Sequence, residues 1–227
     1  SSGFAPYTAT LTATARPDGL SYAWFVDGVE QATFADDATA TVSVAKLGTT
    51  RVTLVAAGAL GATAEWSMDL ELAAPVHYVV TNNPNAAAPY TTWATAATNV
   101  QDAINVAVDG ADVIVSNGVY QLASVMTVDR AITVRGVTGN RSDVVFDGGK
   151  LGSLDKKSAI SLKNTASVFA DLTVSNFTFT GDYYNGGAIQ NYGATITNCR
   201  VTACNVLKWR RGVAVQNQDG RLADVLM

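Results

Sequence analysis

One phrase occurs three times towards the end of this 227-residue chain, and it constrains the fold more than any other feature. It reads "AISLKNTASVFADLTVSNF", then "GAIQNYGATITNCRVTAC", then "GVAVQNQDGRLADVLM". Aligned on Asn164, Asn191 and Asn217, each copy has an apolar residue five positions on: Phe169, Ile196 and Leu222. Seven positions on stand Asp171, Asn198 and Asp224. Apolar residues return at eight (Leu172, Cys199, Val225) and at ten (Val174, Val201, Met227). The first two copies stay in register through Phe177 over Cys204 and Phe179 over Val206. An earlier copy opens at Gly136, where Asp143, Val144 and Phe146 fit and Arg141 breaks the plus-five position. The four anchors are 28, 27 and 26 residues apart.

A period in this range, with short alternating strands in each copy, predicts a parallel β-helix in which each copy is one coil. Equivalent residues of neighbouring coils then stack about 4.8 Å apart, and inward positions form apolar ladders. A single coil cannot bury its own interior, so every copy must present the same face to the next. Ahead of the coils, Val100, Ala103, Ile104, Ala107 and Val108 share one helical stripe. Thr98 or Asn99 is placed to cap its start and Gly110 to end it. This helix is expected to cover the exposed end of the stack. The series "WATAATNVQDAINVA", "GADVIVSNGVY", "ITVRG" and "DVVFDGG" resembles the opening of right-handed parallel β-helix proteins of the pectin-lyase-like superfamily, over residues 77–227.

Residues 1–74 alternate strand-like runs, "YTATLTATA", "LSYAWFVDG", "ATATVSVAK", "TTRVTLVAAG" and "AEWSMDLEL", with turn signals such as "RPDG". That spacing predicts a β-sandwich. In "SYAWFVDG" a period of two puts Tyr22, Trp24 and Val26 on one face, and Asp27-Gly28 supplies a tight turn. The stretch resembles polycystic-kidney-disease-type and related immunoglobulin-like modules. That resemblance implies a spacer in an extracellular protein, with Trp24 in the core instead of on a sugar. "LAAPVHYVV", with Pro75, marks the boundary. The expected fold is therefore all-β. An immunoglobulin-like β-sandwich over 1–74 precedes, over 75–227, a right-handed parallel β-helix with an N-terminal capping α-helix and a truncated C-terminal end. The chain stops on "RLADVLM" without a cap, so further coils are expected after Met227, and this piece alone is expected to stick edge to edge.

Apolar residues make up 48% of the chain and charged residues 15%, which provides for a sizeable core. A net charge of -4 leaves no basic footprint and argues against nucleic acid as a partner. The longest apolar run, "VTLVAAGALGA", is well short of the ~20 residues of a membrane helix, so no membrane insertion is expected in this segment. The lone His77 leaves no multi-His metal site. Cys199 and Cys204 take inward ladder positions and are expected as free thiols. A secreted or cell-surface location follows from the two module types, not from a targeting signal.

Three groups of residues invite chemistry. The column Asp143, Asp171, Asn198, Asp224 has oxygen ligands suited to calcium, but it falls where the alternation breaks. Asp and Asn favour such bends because their side chains bond nearby backbone, and the bend is the preferred reading. Next, Arg135, Lys163, Gln190 and Gln216 are expected in one outward row, either solvated or gripping an acidic polysaccharide. Finally, the loops entering the coils centre on Lys156, Tyr183 and Trp209, with Asp182, Tyr184, Lys208 and Arg210 beside them. In register, these loops bring Tyr183 beside Trp209, and aromatics rimmed by charge suit a sugar ring. The candidate carbohydrate-binding set is Tyr183, Tyr184, Trp209, Asp182, Lys208, Arg210, Lys163 and Arg135. No cofactor or metal is expected, except calcium if the protein is a lyase. The superfamily resemblance implies polysaccharide lyases, which need a base and a cation beside a uronate, or hydrolases, which need paired carboxylates. Neither constellation stands on the outward positions. Polysaccharide engagement is the preferred function. A lyase or hydrolase whose catalytic coils lie mostly beyond residue 227, and a non-catalytic stalk or adhesin, remain as alternatives.

Overall fold

The computed structural model describes residues 2–14, 19–151, 153–154, 158–179, 187–203, 205–206 and 213–227. With 53% of residues in strands and 7% in helices, the chain is all-β. It divides into two compact units, Ser1–Ala74 and Pro75–Met227.

The first unit contains β1 (Ser2–Phe4), β2 (Tyr7–Thr12), β3 (Leu20–Val26) and β4 (Val29–Glu30). β5 (Thr39–Val44), β6 (Gly48–Gly58) and β7 (Thr63–Ala73) follow. One sheet runs in the order β1-β7-β6-β3-β4, and β2 pairs with β5 in another. Period-two alternation puts Tyr22 and Trp24 into a core with Val42, Val52, Leu54 and Leu70. Trp24 is buried, and its indole N–H would be stranded there without a partner. It donates to the Asp37 carbonyl at 2.9 Å. Asp27 and Gly28, at φ 48° and 81°, make the β3–β4 turn. Positive φ at both central residues is what a two-residue hairpin of this hand requires.

In the second unit β8 (Val76–Val79) precedes the helix α1 (Val100–Val106). β9 (Asp112–Val115), β10 (Gly118–Gln121), β11 (Met126–Val128), β12 (Thr133–Gly136) and β13 (Val144–Asp147) come next. Then follow β14 (Ser153–Leu154), β15 (Ile160–Leu162), β16 (Val168–Ser175), β17 (Thr178–Phe179) and β18 (Gly187–Asn191). The last are β19 (Thr195–Thr202), β20 (Asn205–Val206), β21 (Val213–Asn217) and β22 (Arg221–Leu226). Among the described residues the strand pairs of this unit are parallel and form three stacks. One runs β8-β9-β12-β16-β19-β22, with β10 and β13 beside it; a second runs β11-β15-β18-β21; a third runs β14-β17-β20.

The register matches the repeat. Phe169 pairs with Ile196 and Ile196 with Leu222; Leu172 pairs with Cys199 and Cys199 with Val225. Phe179 likewise pairs with Val206. The inward column extends back through Val134 and Val113 to His77. Val113, Val134, Phe169 and Ile196 are all fully buried, each stabilising the unit by roughly 2 kcal/mol relative to exposure. At the far edge, β22 leaves Leu222, Leu226 and Met227 exposed.

The plus-seven residues make the bend. Asp171, Asn198 and Asp224 have φ of 60°, 46° and 53°, a left-handed conformation that Asp and Asn tolerate better than most residues. The earlier copy differs from its expected alignment. Val145 and Phe146 do lie 28 residues before their partners Thr173 and Val174. Thr133 and Val134, however, lie 35 residues before Val168 and Phe169. Residues 137–143 are seven extra residues inserted at the bend, where later copies use one residue in all. Val134, not Arg141, therefore fills the plus-five column, and Gly136 lies over Asp171 instead of opening the copy. A Cβ at Gly136 would collide with the Asp171 carbonyl, which explains the glycine.

The helix starts as expected, with the Asn99 side chain accepting from Gln101 N. It ends at Val106, before Gly110, and Val108 is exposed. Val100, Ala103 and Ile104 form its buried face. The Gln101 amide both donates to the Thr127 carbonyl and accepts from Thr127 N, replacing a neighbouring strand at the edge of β11. Arg130 donates to the carbonyls of Ile104, Asn105 and Ala107, where the helix leaves acceptors unpaired and favours a cation.

Candidate functional site

Alternation sends every second residue of the long stack outward, which builds a face from Tyr78, Ile114, Arg135, Ala170, Thr197 and Ala223 in successive strands. At its β8 end the Trp93 ring packs on Tyr78, with centroids 4.4 Å apart and planes at 50°. Two strands further, the Arg135 Nε lies 3.4 Å from Asp112 Oδ2, both side chains being about a third exposed (36% and 35%). The backbone behind Trp93 is fixed: Thr92 Oγ1 accepts from Thr95 N, and the Asn83 amide donates to the carbonyls of Ala94 and Ala96. Sequence reading missed this platform. Trp93 stands alone among Thr and Ala in "TTWATAATNV", and its ring partner belongs to another element.

The expected polar row does not form. Gln190 pairs with Gln216, but the next residue in that column is Ser161 and then Thr127. Lys163 is exposed beyond the end of β15, its N–H donating to the Val128 carbonyl. Arg135 belongs to a different stack, between Ile114 and Ala170. The cause is turn length. Five residues, 163–167, separate β15 from β16, whereas three, 192–194, separate β18 from β19. Aligning Asn164 with Asn191 therefore shifted Lys163 by two positions.

The Asp/Asn column is filled from within the protein. Asn198 Nδ2 donates to Asp171 Oδ1 (2.8 Å) and to the Gly139 carbonyl (2.6 Å). Arg141, mostly buried, donates to the carbonyls of Cys199 and Asp224 and pairs with the Asp224 carboxylate. Thr173 Oγ1 donates back to the Arg141 carbonyl. The 137–143 segment thus laces along the bend, and Asp143 bonds within it, to Thr138 and Asn140. Among the described residues no three His, Cys, Asp or Glu side chains are grouped as metal ligands. His77 is buried with Nδ1 2.7 Å from the Pro89 carbonyl, which can only accept, so Nδ1–H is the donor.

No family model, curated protein or solved structure matches the chain. Of the candidate carbohydrate set, Asp182, Tyr183, Tyr184, Lys208, Trp209 and Arg210 lie outside the described residues, as do Lys156 and Cys204. Among those described, no helix is long and apolar enough to cross a membrane.

Cys199 is a free, buried thiol between Leu172 and Val225. Burial pushes it up to about 12, against a smaller opposing effect of a backbone hydrogen bond. That shift cuts the thiolate fraction near neutral pH by about a thousandfold relative to an ordinary cysteine. Native protein treated with iodoacetamide at mildly alkaline pH is expected to leave Cys199 unmodified for hours, with complete labelling in denaturant. Peptide mass spectrometry showing prompt native labelling would contradict its inward position.

Proposed function

We propose that residues 75–227 form a right-handed parallel β-helix of the pectin-lyase-like kind, with α1 as its cap and residues 1–74 as an immunoglobulin-like spacer. On this reading the protein is secreted or displayed at a cell surface. It engages polysaccharide through the loops carrying Tyr183, Tyr184 and Trp209. One observation carries the proposal. Phe179 and Val206, which precede residues 180–186 and 207–212, pair with each other, and so do Gly187 and Val213, which follow them. The flanking residues are thus one rung apart at both ends, about 4.8 Å, and this reading takes the aromatics of the two segments to meet one ligand. Rings flanked by Asp182, Lys208 and Arg210 provide an apolar surface for a sugar and hydrogen bonds around its rim.

A glycan array identifies the ligand, and Trp209→Ala tests the site. The variant is expected to lose binding by about tenfold, equivalent to about 1.4 kcal/mol, with circular dichroism unchanged. Unaltered affinity for every glycan bound by the parent would discard the loops as the site. Incubation with polyuronates and calcium, monitored for unsaturated products, separates this reading from a lyase.

A further inference from the structure

We propose a second carbohydrate site, on the outward face of the long stack, built on the Tyr78–Trp93 platform and the Asp112–Arg135 pair and taking a neutral hexopyranose polymer. It is independent of the 180–186 and 207–212 loops. Trp93 is 44% exposed although its ring already rests on Tyr78, so the aromatic surface faces outward instead of closing a core. A pyranose has a face of C–H groups that packs on such a ring, while its hydroxyls project sideways and need polar partners. Those partners stand at the right spacing. From Tyr78 the face steps to Ile114 and then to Arg135, one strand at a time, about 4.8 Å per step. That step is close to the length of one sugar unit. A chain stacked on Trp93 and running across the strands passes over the apolar Ile114 and meets Asp112 and Arg135 one or two units on.

The pair determines the class of sugar. Asp112 is acceptor-only and Arg135 donor-only, held side by side and both reachable from solvent. Neighbouring hydroxyls on a pyranose each donate and accept, so they bond to both at once. A uronate brings a carboxylate that Arg135 attracts and Asp112 repels, and the pair has no net charge to reward it. The bonds from Thr92 and Asn83 that fix the segment behind Trp93 hold the platform in place before ligand arrives, which removes part of the ordering cost of binding.

The test titrates the 227-residue protein with cello-, manno- and galacto-oligosaccharides, with oligogalacturonate as the acidic arm, by calorimetry. At least one neutral series is expected to bind. Trp93→Ala should weaken it about tenfold or more, Trp93→Tyr much less, and Asp112→Asn or Arg135→Gln several-fold, all with unchanged circular dichroism. The two Asp/Arg variants and the tyrosine keep the proposal testable should the alanine variant misfold. Full binding by Trp93→Ala would overturn it, as would binding of oligogalacturonate alone. Loss with Trp209→Ala but not with Trp93→Ala sinks this site and leaves the loop site standing; the reverse pattern does the opposite. No binding to any glycan removes both.

Discussion

Phe169→Ala is expected to destabilise residues 75–227 by about 3–5 kcal/mol, the range found when a fully buried Phe is truncated in a rigid core. Phe169 has no exposed surface and sits mid-column, pairing with Val134 on one side and Ile196 on the other. Its ring lies 5.9 Å from that of Phe146, which in turn meets Tyr120 edge-on at the same distance. Removing it deletes the contacts of three successive strands and leaves a void that parallel strands, locked in register by their own hydrogen bonds, cannot close. Thr197→Ala, on the outward face of the same stack, is expected to cost less than about 1 kcal/mol. Urea unfolding followed by hydrogen exchange on peptides from residues 126–202 measures both. Equal small effects would mean that the column is not the core. A Phe169→Leu variant, with less volume lost, should fall between the two.

The repeat was legible because inward positions are set by one physical demand, that like lies over like. Leu172, Cys199 and Val225 differ in chemistry yet pair directly, since a buried Cys behaves as a small hydrophobe. The bend was legible for a related reason: Asp and Asn accept a left-handed backbone, and Asp171, Asn198 and Asp224 each adopt one. Loop length has no such signature. Residues 137–143 are an insertion at the bend of the earlier copy, so a fixed offset carried Arg141 to a position that Val134 fills. The same slip misplaced Lys163. Trp24 was readable because it alternates with Tyr22 within one strand and faces the same core. Trp93 was not, because its neighbour Tyr78 arrives from β8, and no periodicity connects an isolated aromatic with a strand it merely lies upon. Candidate sites on loops and faces are in this sense harder to read than ladders, since nothing repeats them.

The three anchor asparagines are expected to differ sharply in what they contribute, although the sequence writes them alike. Asn191→Ala should cost about 2–4 kcal/mol, whereas Asn164→Ala should cost less than about 1 kcal/mol. Asn191 has no exposed surface. Its Oδ1 accepts from Ala194 N, and its Nδ2 donates both to the Ala194 carbonyl and to Asn217 Oδ1, each at 2.8 Å. Alanine there strands the Ala194 N–H, at about 1–3 kcal/mol unless water enters, and removes the bonds to Asn217 Oδ1 and to the Ala194 carbonyl, which keeps the Arg221 N–H, at about 0.5–1.5 kcal/mol each. Gly220 underlines how full the site is, because a Cβ on it would overlap the Asn191 amide. Asn164 sits two residues outside this ladder, since Asn191 pairs with Leu162, and among the described residues its side chain accepts from Ala166 N (2.9 Å) in an exposed turn. Asn217, pairing with Asn191 and donating to the Gly220 carbonyl from an exposed position, should fall between them. Urea midpoints of the three alanine variants give the ranking directly. Equal losses at Asn164 and Asn191 would show that the turns before β16 and β19 are the same length after all, and would restore Lys163 to the Gln190 row.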